Sequence, residues 1–258
     1  MTHRNFAPLL ATLMAGALFS LGAAANPAEA SSGAEPEAKS EAKATPALTP
    51  FSATYSASMS KGIKLNGAGK RELISQDNGI WLYRTEVDSF IADINESLVF
   101  RWDDGQVVPL RYRYELSGLM ISDRKQAIDF DWQAGLATGH YRGEPFELKL
   151  KEGALDPLGY QMQLRQDLKT GKREMAYPVI DKGDYDEERF AVLENEQLRL
   201  NGHTLDTLKA EKVRDSDSKR KTLMWFTPSQ DYLLVRLRQV EPDGTEYELR
   251  LKDADLQS

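Results

Sequence analysis

The residues FSATYSASM, 51 to 59, alternate without a break. Phe51, Ala53, Tyr55, Ala57 and Met59 fall on one side, with Ser52, Thr54, Ser56 and Ser58 on the other. Successive side chains of a strand point to opposite faces, so this segment buries one face and wets the other. The same period returns in GIWLYRTEV, where Trp81, Tyr83 and Val87 oppose Arg84 and Glu86. It returns again in LRYRYEL (Tyr112, Tyr114, Leu116 against Arg111, Arg113, Glu115), in AIDFDW (Ile128, Phe130, Trp132 against Asp129, Asp131) and in EYELRL (Tyr247, Leu249, Leu251 against Glu246, Glu248, Arg250). Turn signals punctuate these runs: DNG at 77–79, DDG at 103–105, QAG at 133–135, RGE at 142–144, NGH at 201–203 and PDG at 242–244. Alternating runs joined by such turns predict antiparallel hairpins. Many one-faced strands in succession must curl to cover their apolar side, which predicts a mainly β domain forming an open or closed barrel.

Two segments break the pattern. TLMWFTP is apolar on both faces, Leu223 and Trp225 against Met224 and Phe226, and DYLLVRL sets Leu234 beside Leu233, Val235 and Leu237. Strands apolar on both faces are expected where something covers both sides of the sheet. The available cover is LDPLGYQMQLRQDL, residues 155–168. Tyr160, Met162 and Leu164 alternate there like a strand, but Asp156 ahead of Pro157 reads as a helix start and KTG at 169–171 as a helix exit. The capping signals favour one helix over about 155–169. At 100° per residue its apolar side chains, Leu158, Tyr160, Met162, Leu164 and Leu168, spread over roughly 200°, with Gln161 and Arg165 inside that arc.

The first thirty residues carry a basic start (His3, Arg4), an apolar run from Phe6 to Leu21 and small residues ahead of cuts after Ala25 or Ala30. That reads as a secretory signal peptide, since the run is shorter than the roughly 20 residues a spanning helix needs. No second long apolar run follows, so the exported chain is expected to be soluble. Residues 31–49, built from Ala, Glu, Lys, Ser and Pro, read as a disordered tether, and residues 50–258 as one domain. The chain has no cysteine. It therefore offers no disulfide framework, no lipidated amino terminus, no thiolate nucleophile and no cysteine-based zinc site. A bacterial periplasm is the expected location. The formal net charge of −7 argues against nucleic-acid binding, which needs a basic patch.

The segments FRWDDGQVVPLRYRYE, DFDWQAGLATGHYRGEPFEL, LDPLGYQMQLRQDL and TLMWFTPSQDYLLVRLRQVEPDGTEYELRL resemble successive signatures of the DUF3108 family of exported bacterial proteins. The likeness extends from about Phe51 to Leu251 and is weakest over MAYPVIDKGDYDEERFAVLENEQLRL. It implies one domain of many antiparallel strands curled around one helix, in the periplasm of a Gram-negative bacterium. By looser analogy such half-barrels are similar to periplasmic folds that carry lipids and lipoproteins, which does not by itself establish function.

Several constellations invite chemistry. SMSK at 58–61 and KTG at 169–171 occur in penicillin-binding order, but that chemistry needs Ser58 at the start of a buried helix, and Ser58 ends an alternating strand. Asp129 and Asp131, two apart on one strand, place their carboxylates roughly 6 to 7 Å apart, a spacing suited to a glycan-acting pair or a cation but expected of a solvated strand face. His140 and His203 show no metal-ligand spacing, so no metal or cofactor is expected. Arg111, Arg113, Arg236 and Arg238 sit on polar strand faces and Arg165 inside an apolar arc; the expected partner is an Asp or Glu on a neighbouring strand, with an anionic headgroup or a sugar acid as the alternative. Tyr112, Tyr114, Trp132, Trp225 and Phe226 read as core aromatics that an open sheet could leave partly reachable.

These readings lead to a non-enzymatic envelope protein that binds an apolar or amphipathic ligand, a lipid or an acylated protein, between sheet and helix. The expected contacts are Leu158, Met162, Arg165, Trp225 and Phe226. The alternatives are an assembly protein with a packed barrel that docks a protein partner and, more remotely, a glycan-acting enzyme.

Overall fold

The computed structural model describes residues 47–61, 63–89, 92–118 and 122–257. Residues 1–30, read above as a signal peptide, and residues 31–46 of the expected tether lie outside the described residues. Leu48, in the last part of that tether, is buried.

Fourteen strands form one antiparallel sheet: β1 (Phe51–Lys61), β2 (Ile63–Ser75), β3 (Ile80–Ser89), β4 (Asp93–Asp103), β5 (Gln106–Ser117), β6 (Arg124–Asp131), β7 (Leu136–Tyr141), β8 (Glu144–Lys149), β9 (Glu174–Asp181), β10 (Asp184–Leu200), β11 (His203–Val213), β12 (Lys221–Thr227), β13 (Leu233–Val240) and β14 (Glu246–Leu256). Every strand pairs with its neighbour in the chain except β8 with β9, and β1 pairs with β14. The order therefore runs β8 through β1, then β14 down to β9. The one α-helix among the described residues, α1 (Gly159–Lys169), fills the break between β8 and β9 in the chain.

The alternation sets this arrangement. Phe51, Ala53, Tyr55 and Ala57 are buried, as are Tyr112, Tyr114 and Leu116 and, across β14, Tyr247, Leu249 and Leu251. The hairpin turns obey the twist of the strands. Asp104–Gly105 and Lys182–Gly183 each join paired strands with φ positive at both residues, the geometry that two-residue hairpins prefer. The second of these was not among the turn signals read from the sequence.

The sheet does not close. Its edges, β8 and β9, are joined instead by the segment leading into α1. Leu155 bridges Val179 in parallel, its N–H donating to Pro178 O at 2.9 Å and its carbonyl accepting from Ile180 at 2.8 Å. The Tyr185 hydroxyl ties the same seam, donating to Lys149 O at 3.1 Å and accepting from Lys151 N–H at 3.0 Å.

The helix starts where Asp156 and Pro157 place it. Asp156 Oδ1 accepts from the N–H of Leu158 at 2.9 Å and of Gly159 at 3.0 Å, satisfying donors that the first turn leaves free. At the other end Gly171, with φ +88°, lets its own N–H reach Leu168 O and that of Lys172 reach Asp167 O, both at 3.0 Å. Between these ends nearly every residue is buried, including Gln163, Arg165, Gln166 and Asp167. The helix is thus a plug wrapped on almost all sides, more completely than its apolar arc alone predicts.

One expectation is corrected here. Strand β12 is not covered by secondary structure on both faces. Met224 and Phe226 lie on the helix side, while Trp225 is covered outside by charged side chains, with Lys209 Nζ 5.7 Å and Arg236 Cζ 4.6 Å from its ring centroid. Long aliphatic stems shield an aromatic while their charged ends stay paired, Lys209 with Glu194 and Glu196, Arg236 with Glu248.

Truncating the plug should be costly. Leu164→Ala, at 1% exposure, is expected to lower unfolding free energy by about 2–5 kcal/mol, read from chemical denaturation. Leu193→Ala, at 45% exposure, should change it by no more than about 0.5 kcal/mol.

Candidate functional site

Two features meet at the helix. The first is a cavity of about 30 Å³ between α1 and strands β1, β2, β3, β12 and β13. Leu164, Phe226, Leu234 and Leu237 supply apolar wall, and Arg71, Gln161 and Arg165 line it as well. That volume holds about one water and no acyl chain.

Arg165 is 4% exposed. Its Nε donates to the Asp231 carbonyl and its Nη2 to the Asp231 carboxylate, both at 2.9 Å, and the guanidinium carbon sits 4.6 Å from the Phe51 ring centroid. Nη1 has no acceptor among the described residues. Lys169 also pairs with Asp231. Gln161, one turn before Arg165 on the same helix face, accepts from Arg71 Nη2 at 2.8 Å.

The second feature is a polar belt across the inner face of the sheet. Arg71, Thr85, Glu96, Tyr114 and Gln126 stand directly opposite one another on β2 through β6, and all are buried. Gln126, its amide oriented by its partners, reaches over the seam, donating to Asp181 Oδ1 at 3.0 Å and accepting from Lys182 N–H at 3.1 Å. Tyr112 donates to Glu96 Oε1 at 2.5 Å.

Burial pushes the Glu96 carboxyl up to about 8, against the Tyr112 hydroxyl and Arg71, while Asp156 and Asp181 raise it further. Burial likewise pushes Asp156 up to about 7, opposed by its hydrogen bonds from Gly159 and Leu158. On the opposite wall Glu188 pairs with Lys212, and burial pushes the Lys212 ammonium down to about 8.

The sequence-read contacts divide. Arg165 and Phe226 line the cavity. Leu158 and Met162 are fully buried in the core but do not reach it, and Trp225 lies on the far face of the sheet. Among the other sequence candidates, Arg113 holds Asp129 with two hydrogen bonds at 2.8 and 3.0 Å, and Asp131 accepts from the N–H of Gln133 and Ala134 in the following turn. Ser58 lies on β1, Lys61 pairs with Asp243, and Lys169 closes α1, so the penicillin-binding spacing assembles no shared site. His140 and His203 sit on β7 and β11.

The sequence reading missed the belt, although each strand carries its sign. Arg71 shares a face with Leu73, Thr85 with Tyr83 and Val87, Glu96 with Ile94 and Leu98, and Gln126 with Ile128 and Phe130. A single polar residue on the apolar parity of successive strands is the signal.

Residues 80–252 match the model of a family described as a protein of unknown function, DUF3108. The chain belongs to the DUF3108 family. The match begins at β3, so β1 and β2 lie outside it, although β1 joins the sheet to β14. No match is found among curated proteins.

A solved structure similar to this DUF3108 protein is a β-barrel-like protein of domain of unknown function DUF1849 from Brucella abortus. It is 11% identical over 82% of this chain and 99% of that one, with a TM-score of 0.57. A putative outer membrane lipoprotein-sorting protein domain from Vibrio parahaemolyticus aligns at 14% identity over 81% and 86% of the two chains, with a TM-score of 0.23. A DUF1329 family protein from Desulfovibrio piger aligns at 10% identity over 81% and 85%, with a TM-score of 0.24. The first shares the fold; the other two superpose too loosely to bear on it.

Folded-state values above those of the unfolded chain mean that the folded form holds the extra protons. Stability present below about pH 4 is then lost as pH rises through about 7 to 8. Denaturation midpoints should fall over that range, and Glu96→Gln should flatten the fall. Asp156→Asn, which keeps a capping oxygen, should act at the lower end of the range. An unchanged pH slope in both variants would contradict the buried-acid description.

Proposed function

We propose that this protein is a non-enzymatic, periplasmic envelope protein that binds an apolar or amphipathic ligand, a lipid or an acylated protein, between the curled sheet and α1. The observation that carries this reading is the cavity itself, an apolar wall from β12 and β13 facing a helix that presents Arg165 and Gln161 into the same space. Ligand sites combine a mostly apolar lining with a few placed polar groups in this way. The barrel-like fold is compatible with such a role. The export signal read in residues 1–30 supports the location, and no helix among the described residues is long and apolar enough to cross a membrane.

At about 30 Å³ the cavity must enlarge before it accepts a chain. That observation favours a second reading, an assembly protein whose packed barrel docks a partner on its outside. An open groove of about 490 Å³ beside β10 and β11, lined by Asn195, Gln197, Asp206, Pro228 and Tyr232 among others, is the exposed surface it would use.

Native mass spectrometry of protein purified from the periplasm separates the two. The ligand-binding reading expects a co-purifying acyl species, or uptake of a fluorescent acyl probe by the delipidated protein. Absence of both, with a specific protein partner recovered by crosslinking in cells, would establish the docking role instead.

A further inference from the structure

The turn between β12 and β13 borders both the cavity and the open groove. Strand β12 ends at Thr227 and β13 begins at Leu233; Pro228 and Tyr232 line the groove, while Leu233 lines the cavity. This turn is not held by its own backbone preference. Asp231 and Tyr232 both take left-handed conformations, with φ of 52° and 57°, which an L side chain adopts at a cost and a bulky aromatic seldom adopts. Tyr232 N–H closes it on Thr227 O at 2.9 Å and Thr227 Oγ1 anchors it to Asp206 O, and from the helix Arg165 grips the Asp231 carbonyl and carboxylate while Lys169 pairs with the same carboxylate.

The geometry points to Arg165 as the receptor for the anionic head of an amphiphile, with the Asp231 carboxylate standing in that place and the β12–β13 turn as the gate. The assignment rests on the ligand-binding reading above. It follows from three facts. Arg165 is buried among apolar residues, where its charge must be answered by an anion, so a neutral ligand that displaced Asp231 would leave a buried charge unpaired. Its Nη1 has no acceptor, so the guanidinium can offer a head group one more hydrogen bond than it gives Asp231. Loosening Asp231 frees the strained turn and joins the cavity to a groove many times larger, which is the room a chain needs. With the head on Arg165, the chain would run along Leu164, Phe226, Leu234 and Leu237.

The test compares dodecanoate, dodecyl phosphate and dodecanol below their aggregation limits, by calorimetric titration of the full exported protein. The expected result is that both anions bind and dodecanol binds at least about ten-fold more weakly. Asp231→Asn removes the internal competitor and should tighten dodecanoate about ten-fold. Arg165→Gln should erase the preference for anion over alcohol, and Arg165→Lys should keep it, which serves if the glutamine variant does not fold. Tighter binding of the phosphate than of the carboxylate would support the site and name a phospholipid-like head as its source.

Equal affinity for dodecanol and dodecanoate, or Asp231→Asn without effect on dodecanoate, would overturn the assignment while leaving a ligand-binding cavity in place. Failure of all three probes to bind to any variant would remove the ligand-binding reading itself.

Discussion

A sheet that buries one face and does not close must find something to put inside its curl. Here an eleven-residue helix is that filling. Burying it brings in Gln163, Arg165, Gln166 and Asp167 with the apolar side chains, and an unpaired polar group in the interior is costly. Gln163, Arg165 and Asp167 are answered by the surrounding chain, while Gln166 Oε1 finds no hydrogen-bond partner among the described residues. Gln163 accepts from Val107 N–H at 2.8 Å and donates to Gly105 O at 3.0 Å, in the β4–β5 hairpin. Asp167 accepts from Tyr177 at 2.8 Å and pairs with Lys172, and Arg165 reaches the β12–β13 turn. The helix is seated by directional contacts at defined points. These fix which parts of the wall can move without it.

The same logic runs across the inner face. Arg71, Thr85, Glu96, Tyr114 and Gln126 make a continuous polar row in a wall that is otherwise apolar, and it ends at the seam the sheet leaves open. A closed ladder would have sealed that seam with backbone hydrogen bonds. Instead Gln126, Leu155 and Tyr185 join the edges at separate points. The interior therefore combines carboxyl groups raised by burial with a cationic group on the helix, so its charge balance, as well as its packing, depends on what occupies the space.

Much of the sheet was legible because alternation is a direct consequence of strand geometry. Phe51 to Ala57 and Tyr247 to Leu251 needed no tertiary information. The start of the helix was legible from Asp156 and Pro157, since capping is local chemistry. What could not be read was where the two-faced strand β12 found its outer cover. Trp225 is shielded by Lys209 and Arg236, which are hydrophilic in any composition scale and cover apolar surface only when a neighbouring strand sets them in register. The inner cavity was half legible. Arg165 and Phe226 were read as contacts and do line it, but Leu158 and Met162 turn into packed core, because the helix is wrapped more fully than a one-faced arc suggests.

The central question is whether α1 stays a fixed plug while the β12–β13 turn yields. Hydrogen exchange followed with and without dodecanoate tests this most directly. Ligand is expected to speed exchange at residues 229–232 while amides of 160–169 stay protected. Loss of protection along the helix with the turn unchanged would contradict it, and would make the helix the moving part.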